Sequence, residues 1–490
     1  MHTGSCPSCG APVQFKSHAS VMAVCEFCRA SILKDGDSVK DIGKLSAVLE
    51  DYSPIQIGTA GTFHGVGFTV IGRIQLRYAQ GIWNEWYLLH DDATTAWLGD
   101  ASGQYTITTA REVSGPLPSF DDVVPGHLYP IGGEPFTAAD KREGECIGGQ
   151  GELPFRVGDG WRIRTADLRR GPAFITLDYT DGAVPVVYNG KAVTLPDLKC
   201  QLLRSDEEIK ASAGRYRGKL DALDCPSCGS AISYLPGVTT SLVCPACAAQ
   251  LDAAGPQATV LAAGQQVAAV ISSLELGATA SISGDQYTVI GAMVRADEEE
   301  ATWTEYLLYG TRGGFFWLVE TDEGWSRAQV LHDWPQWNTL TATSATLGQD
   351  RYDKLYDYEA SVRYVAGAFN WRVSAGDTTR VFEFQKGQVT LSAELTADEL
   401  TWSRSVPVAH DQVLAWFGKG TRGMTSQAEA AAPNDAGSMN STQIKFVWWI
   451  LGLNAIPLLT NFGPTFMLLI LAMIALFYPA KFFQAEGDKK

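Results

Sequence analysis

Short apolar runs separated by glycine-rich turns dominate the hydrophobic pattern of the chain. Examples are 68–71, 86–89 and 173–177, and 380–384, which includes two charged residues, has a similar strand-type pattern. Runs of this length, rich in β-branched and aromatic side chains, favour strands, and several of them in succession are typical of a β-sandwich or a partly open barrel. Helical periodicity is found mainly at 206–223 and 257–271. The pattern therefore predicts a mainly β protein.

The chain also contains an internal repeat. Cys-Pro-Ser-Cys-Gly at 6–10 returns at 225–229, and in each unit a second cysteine pair follows after fifteen residues. The same offset of 219 positions relates Thr-Val-Ile-Gly at 69–72 to its copy at 288–291. Because this offset, with one single-residue insertion, holds over about ninety positions, it indicates a tandem duplication.

The predicted fold is two zinc ribbons and two β-sandwich or open-barrel modules in tandem, with an α-helical membrane hairpin at the C-terminus. We predict a zinc ribbon at 1–33, a β-rich module at 54–200, a helical connector at 201–223, a second ribbon at 224–252, a second β-rich module at 274–405, a flexible linker at 418–440 and the hairpin at 444–479.

The C-terminal segment is apolar on all sides. From Phe446 to Tyr478 it has no charged side chain, and a turn-type cluster at 460–464 divides it. Each half is shorter than the roughly 20 residues of an average spanning helix. Three alternatives therefore remain: a hairpin that crosses the bilayer twice, a re-entrant wedge, and a buried soluble hairpin. Since lysines flank both ends, we expect an anchor in the inner membrane with the N-terminal domains and both tail ends in the cytoplasm.

Eight of the ten cysteines form four Cys-x-x-Cys pairs. They are Cys6, Cys9, Cys25, Cys28, Cys225, Cys228, Cys244 and Cys247. Four thiolates match the tetrahedral preference of Zn(II), and the spacing is that of a structural zinc site, closed to substrate. Thiol redox chemistry and iron–sulfur ligation are the alternatives. The N-terminus resembles no secretory signal, which favours metal ligation in a reducing cytosol over disulfides.

The charge balance narrows the class of partner. The 490 residues carry 38 Lys and Arg against 54 Asp and Glu, a net charge of -16. Between Cys228 and Cys244 there is no Lys, Arg or His. Since phosphate contacts come mainly from basic side chains, nucleic-acid binding is disfavoured, and basic or cationic partners are favoured.

The sequence carries no recognisable catalytic constellation. None of the seven histidines recurs at the equivalent position of the other repeat, and the chain has no phosphate-binding loop, Rossmann fingerprint or His-Glu-x-x-His motif. We therefore predict no catalytic residues and no enzyme activity.

Trp-x-Glu is the polar element that is duplicated together with its surroundings. Residues two apart on a strand share a face, so the tryptophan and glutamate are expected to be neighbours and could form an aromatic-walled ligand groove. The candidate groove residues are Trp83, Glu85, Trp97, Trp303, Glu305 and Trp317. In the structural alternative, the tryptophan packs and the glutamate either fixes a turn backbone or pairs with an arginine such as Arg73.

These motifs resemble a bacterial family known only as a domain of unknown function (DUF 4178). The resemblance is carried by 57–58, 68–72, 83–86, 97–98 and 151–155 and covers about 54–200 and 274–405. The second copy departs from it, with Tyr306 in place of Trp86 and Ala368 in place of Glu152. The family name implies no activity. Its relatives are often encoded near polyamine-synthesis and membrane-stress genes, which extends the expectation to envelope stress.

Two functional hypotheses follow, besides a third, a nucleic-acid-binding ribbon protein, against which the acidic charge argues. The first is a non-catalytic, membrane-anchored adaptor that binds zinc and presents its modules to a protein partner at the bacterial inner membrane. The second is a protein, or an enzyme, that binds a cationic, polyamine-like small molecule in the Trp/Glu groove through charge and cation–π contacts.

Overall fold

The computed structural model describes residues 2–28, 30–35, 38–44, 53–79, 81–101, 103–157, 161–205, 208, 223–232, 241–252, 259–262, 273–310, 313–337 and 341–418. In this part of the chain, strands predominate and the helices are short, which confirms the mainly β prediction.

The strands of the first half are β1 (His2–Ser5), β2 (Pro12–Phe15), β3 (Met22–Val24), β4 (Ala30–Asp35), β5 (Ser38–Lys44), β6 (Ala60–Phe63), β7 (Val66–Tyr78), β8 (Ile82–His90), β9 (Thr95–Ala101), β10 (Gln104–Ala110), β11 (Leu128–Ile131), β12 (Glu134–Leu153), β13 (Arg162–Arg170), β14 (Ala173–Asp178) and β15 (Val186–Val193). Helix α1 (Leu195–Leu198) follows.

The strands of the second half are β16 (Leu223–Asp224), β17 (Ala231–Ile232), β18 (Ser241–Val243), β19 (Gln250–Asp252), β20 (Thr259–Ala262), β21 (Thr279–Ile282), β22 (Asp285–Ala296), β23 (Thr302–Gly310), β24 (Gly314–Thr321), β25 (Gly324–Val330), β26 (Ser344–Leu347), β27 (Asp350–Phe369), β28 (Thr378–Lys386), β29 (Val389–Leu395) and β30 (Leu400–Val408). Helix α2 (His410–Phe417) ends the described chain.

Eight antiparallel strands of each module close into a ring. In the first module the order is β7-β8-β9-β10-β15-β14-β13-β12, and β12 pairs again with β7. The twenty-residue β12 makes this possible, because its first part pairs with β13 and its later part with β7. The second module repeats the ring with β22 to β25 and β27 to β30. Both modules are closed barrels rather than the sandwich or partly open barrel that the sequence predicted.

Glycines form the seam where each ring closes. Gly72 pairs with Gly151, and Gly291 pairs with Gly367. Gly151 has φ +67°, and a Cβ there would lie 2.2 Å from the carbonyl oxygen of Ile71. Gly367 has the same left-handed backbone, with φ +97°. Only glycine combines this conformation with such a close approach of two backbones.

The apolar core covers the outside of each barrel. Because successive strand residues face opposite sides, Trp86 and Leu88 point away from the face that Glu85 occupies. They are buried with Ile55 and with Leu198 of α1. Helix α2 covers the second barrel in a corresponding cluster. The inside of each barrel is therefore left to other side chains.

The two barrels contact each other through a bulge in β12. The register of β12 shifts between Ala138 and Asp140, and the bulged Ala139 packs into the aromatic cluster that includes Trp334 and Trp402. The Lys141 amide nitrogen donates to the carbonyl oxygen of Asp398 at 3.1 Å. The bulge thus brings the two lumens next to each other.

Several predictions concern segments outside the two barrels. Strand β20 covers 259–262, so the helical interpretation of 257–271 is wrong there. The connector lies mostly outside the described residues, and so do the linker after Gly418 and the whole hairpin at 444–479. Across the described ranges, neither helix is long and apolar enough to span a bilayer.

Candidate functional site

The eight motif cysteines converge in two clusters. The four thiol sulfurs of each cluster lie within 4.8 Å of one another. In the first, the Sγ atoms of Cys6 and Cys28 are 3.6 Å apart and those of Cys9 and Cys25 are 3.7 Å apart. The corresponding pairs of the second cluster are separated by 3.8 and 3.7 Å.

These separations fit a tetrahedral metal. A zinc–sulfur bond of about 2.3 Å gives a sulfur–sulfur edge of about 3.8 Å in a tetrahedron. Each cluster can therefore hold one metal ion without rearrangement, and its four thiolates would fill the coordination shell. Cys146 and Cys200 lie outside both clusters.

Tight turns present the thiols. The Gly10 amide nitrogen donates to the Cys6 carbonyl oxygen at 2.8 Å, and Gly229 repeats this bond to Cys225 at 2.8 Å. Both glycines have φ +77°. The glycine after each first Cys-x-x-Cys pair thus supplies the left-handed residue that ends the turn.

A buried carboxylate joins the first cysteine module, the strands β1 to β5 that carry the first cysteine cluster, to the first barrel. Glu152 is 4 % exposed and accepts hydrogen bonds from the Lys16 amide at 2.7 Å, the Ser17 amide at 3.1 Å and the Ser20 hydroxyl at 2.8 Å. Strand β3 also pairs with β12 at this point. The second copy keeps the strand pairing, between β18 and β27, with Ala368 in place of the glutamate.

Inside the barrels, inward side chains line a cavity of about 1830 Å³ that extends through both modules. Met22 and Val24 of β3 pack with inward residues of the first barrel, among them Ile74 and Trp83. One end of this lumen is therefore apolar and covered by the cysteine module. Polar side chains line the remainder.

The predicted Trp-x-Glu pair lies in the lumen of the first barrel. The Trp83 indole Nε1 donates to Glu85 Oε1 at 2.9 Å. Among the described residues, none forms an ion pair with this carboxylate. Burial raises the pKa of Glu85 to about 8, and the nearby Asp167 adds to the rise, whereas the Trp83 bond and Arg142 oppose it. Glu85 therefore keeps its proton up to about pH 8 and is ionised above it.

The arginine proposed for Glu85 lies elsewhere. Arg73 donates to Asn84 Oδ1 at 2.6 Å and packs on Trp86, on the outer face of the sheet. The ion-pair form of the structural alternative is therefore wrong for the first barrel. Trp97 lines the same lumen as Glu85 but packs between the rings of Tyr87 and Phe155.

The second barrel holds the same pair together with an arginine. The Trp303 indole donates to Glu305 at 2.7 Å. Arg295 donates to Glu305 at 3.2 Å and to Glu394 at 3.1 Å. Burial alone would lower the pKa of Arg295, but the two carboxylates raise it. Trp317 packs away from this group, against Phe369 and Trp371.

Further charged groups line the first lumen. Arg142 pairs with Asp140 at 2.8 Å, and the Asp167 carboxylate accepts from the Thr176 hydroxyl at 2.6 Å. Burial raises the pKa of Asp178. It also raises the pKa of Tyr188 to about 12, and the Asp178 and Glu85 carboxylates both add to that rise. Tyr188 therefore lies near two carboxylates.

The barrels coincide with known family boundaries. A family model described as a domain of unknown function (DUF4178) matches residues 56–195 and 275–410, more than half of the chain. The chain belongs to the DUF4178 family. Each match contains the eight strands of one barrel. The resemblance expected from the sequence is thus confirmed, in two tandem copies. No curated protein and no solved structure matches the chain.

Sequence reasoning missed three lumen residues of the DUF4178 barrels. They are Asp178 and Glu394, which come from strands far from the Trp-x-Glu motif in sequence, and Arg295, which lies ten residues before Glu305 on the preceding strand. A position-by-position comparison of the two copies could have found Arg295, because its counterpart at the 219-residue offset is Leu76.

Loss of one cysteine is expected to remove one metal ion from this DUF4178 protein. Cys9 and Cys228 are exposed, so serine there removes a thiolate with little disturbance of packing. We expect two metal ions in the native chain, one in Cys9→Ser and in Cys228→Ser, and none in the double variant, measured by elemental mass spectrometry. Cys200→Ser is the control and should keep both ions. Full metal content in the double variant would contradict this assignment.

Glu152→Ala is expected to loosen the first cysteine module from its DUF4178 barrel. The change leaves the donors of Lys16, Ser17 and Ser20 without their acceptor, at a cost of about 1–3 kcal/mol. Amide exchange at Lys16 and Ser17 should accelerate at least tenfold, while β8 amides keep their protection. Unchanged exchange at both positions would show that the strand pairing alone holds the module.

Proposed function

We propose that the first DUF4178 barrel binds a small organic cation, with Glu85 as its charged partner. The observation that carries the proposal is a lumen carboxylate that no ion pair among the described residues neutralises and whose pKa is about 8. An ionised carboxylate in such surroundings gains from an opposite charge.

The barrel provides room and further contacts. Eight-stranded barrels are wide enough to hold one small ligand. The lumen carries the carboxylates of Glu85, Asp140, Asp167 and Asp178 against the guanidinium groups of Arg142 and Arg169. The Trp83 indole adds an aromatic ring beside Glu85, and the Arg142 guanidinium carbon lies 5.6 Å from its centroid, so this ring already takes part in one cation–π contact. These features support binding, and we propose no catalytic step.

We further propose that both cysteine clusters bind structural zinc. Thiolates and tetrahedral geometry favour Zn(II), and four ligands leave no open position for substrate. The membrane anchor, the adaptor role and the protein partner remain proposals that rest on the sequence, since 419–490 lie outside the described residues.

Calorimetric titration of the full chain with spermidine and n-butylammonium tests the cation proposal. Glu85→Gln keeps the size of the side chain and removes its charge, so we expect affinity to fall at least tenfold. Glu145→Gln makes the same chemical change at an exposed position and should bind like the native protein. Equal affinity in Glu85→Gln, or no response to either cation, would overturn the proposal.

A further inference from the structure

Arg295 lies inside the second barrel in the manner of a bound ligand. It is 3 % exposed, and its Nη1 donates to both Glu305 and Glu394. The guanidinium carbon lies 5.8 Å from the centroid of the Trp303 ring. Two carboxylates and one indole thus surround a single guanidinium group.

Strand register shows which residues of the first barrel take these places. Leu76 lies opposite Trp83 as Arg295 lies opposite Trp303. The strand pairing therefore aligns Leu76 with Arg295, the residue that lies between the two carboxylates of the second barrel.

The second carboxylate also has a counterpart. Thr165 lies opposite Arg142 on one side and Asp178 on the other. In the second barrel, Val381 lies opposite Tyr358 on one side and opposite Glu394 on the other. This register places Asp178 where Glu394 lies in the second barrel.

The first barrel therefore has the same three groups without an arginine at the position of Arg295. Glu85, Asp178 and Trp83 correspond to the three groups that surround Arg295, and Leu76 replaces the arginine itself. Arg142 of β12 also lies over the Trp83 ring, with its guanidinium carbon 5.6 Å from the centroid. Its ion pair, however, is with Asp140 at 2.8 Å and not with Glu85.

The strand beside Glu85 also differs between the two barrels at the position that faces the glutamate. Gly99 lies opposite Glu85, whereas Val319 lies opposite Glu305. A Cβ on Gly99 would lie 2.8 Å from the Thr106 hydroxyl oxygen and 3.5 Å from Glu85 Oε1. The Thr106 hydroxyl and the Glu85 carboxylate thus lie where a side chain at position 99 would be, so the glycine places polar groups where the second barrel has a valine.

We propose that Arg295 is a built-in occupant of the second barrel, and that the corresponding open site in the first barrel binds a free guanidinium compound. The second clause rests on the proposed function and narrows its ligand class. A planar guanidinium presents several donors in a fixed plane, so it can donate to two carboxylates at once, whereas an ammonium is a point charge. The chain would thus have one open site and one that is filled by its own side chain.

The probe is n-propylguanidinium, which reproduces the arginine side chain, with neutral n-propylurea as its isostere. Calorimetry of the full native chain should give one site for propylguanidinium and none for propylurea. Arg295→Leu, which copies Leu76 of the first barrel, should give two sites. Adding Glu85→Gln to that variant should bring the number back to one.

Leu76→Arg is the converse variant, and it places an arginine opposite Trp83 as Arg295 lies opposite Trp303. It should fill the first barrel and lower propylguanidinium affinity at least tenfold, with unchanged circular dichroism. Native affinity in this variant would overturn the inference, even where Arg295→Leu fails to fold.

The outcomes also separate the two proposals. Glu85-dependent binding in the native chain, without a second site in a folded Arg295→Leu variant, would overturn the role of Arg295 and leave the proposed function standing. No binding to the native chain, with one Glu305-dependent site in Arg295→Leu, would overturn the proposed function and support Arg295 as an occupant.

Discussion

Gly151→Ala is expected to prevent the first barrel from closing. The alanine Cβ would lie 2.2 Å from the Ile71 carbonyl oxygen, in a backbone conformation with φ +67° that L-residues rarely adopt. The clash and the left-handed strain together should cost about 3 kcal/mol or more. Since β12 and β7 meet at Gly151 and Gly72, relief of the clash requires separation of the two strands.

The matched control is Gly65→Ala. Gly65 has φ +82°, yet a Cβ there meets nothing within 4 Å, so the change adds conformational strain without a clash. It should cost about 1–2 kcal/mol. Denaturant unfolding followed by circular dichroism compares the two variants. A Gly151→Ala protein as stable as Gly65→Ala would mean that the seam tolerates a side chain.

The seam also explains why the sequence predicted strands but not a closed barrel. Apolar runs such as 68–71 and 86–89 specify local strands, and the structure confirms them within β7 and β8. Closure depends on a pairing between residues about eighty positions apart, Gly72 and Gly151. No local pattern records such a pairing, because it is set by the register of β12 along its whole length.

In the candidate site, too, the local sequence pattern predicted contacts within one strand correctly but not contacts between strands. The two-residue period correctly places Trp83 and Glu85 on one face. The pairing of Glu85 with Arg73 fails because register places Arg73 opposite Trp86, whose side chain faces outwards. To infer an ion pair from sequence, one must know which face of the sheet each side chain occupies as well as which strand carries it.

Duplication adds information that neither copy carries alone. The same Trp-x-Glu pair is neutralised by Arg295 in one barrel and left with Leu76 opposite its tryptophan in the other. Glu305 is paired with Arg295, whereas Glu85, with a pKa of about 8, holds a proton at neutral pH that a cation could displace. The difference between the copies is therefore what favours binding in the first barrel over packing.

Cation affinity in the first barrel is expected to rise about 100-fold between pH 6 and pH 9. Burial raises the pKa of Glu85 from 4.5 to about 8, so below pH 8 a cation must displace a proton from the carboxyl. Affinity then changes about tenfold per pH unit and levels off once the carboxyl is ionised. The folded state holds this proton more tightly than the unfolded chain. Stability from Glu85 is therefore fully present below pH 4.5 and is lost as pH rises through about 8.

Calorimetry with n-butylammonium at pH 6, 7, 8 and 9 measures the slope, and heats in buffers of different ionisation enthalpy give the number of protons released. About one proton should leave at pH 6 and almost none at pH 9. Glu145→Gln should reproduce the native slope, and Glu85→Gln should show weak binding with a flat profile. A steep profile that survives Glu85→Gln would assign the displaced proton to another lumen carboxyl. Asp167 is the first to test, since burial raises its pKa as well.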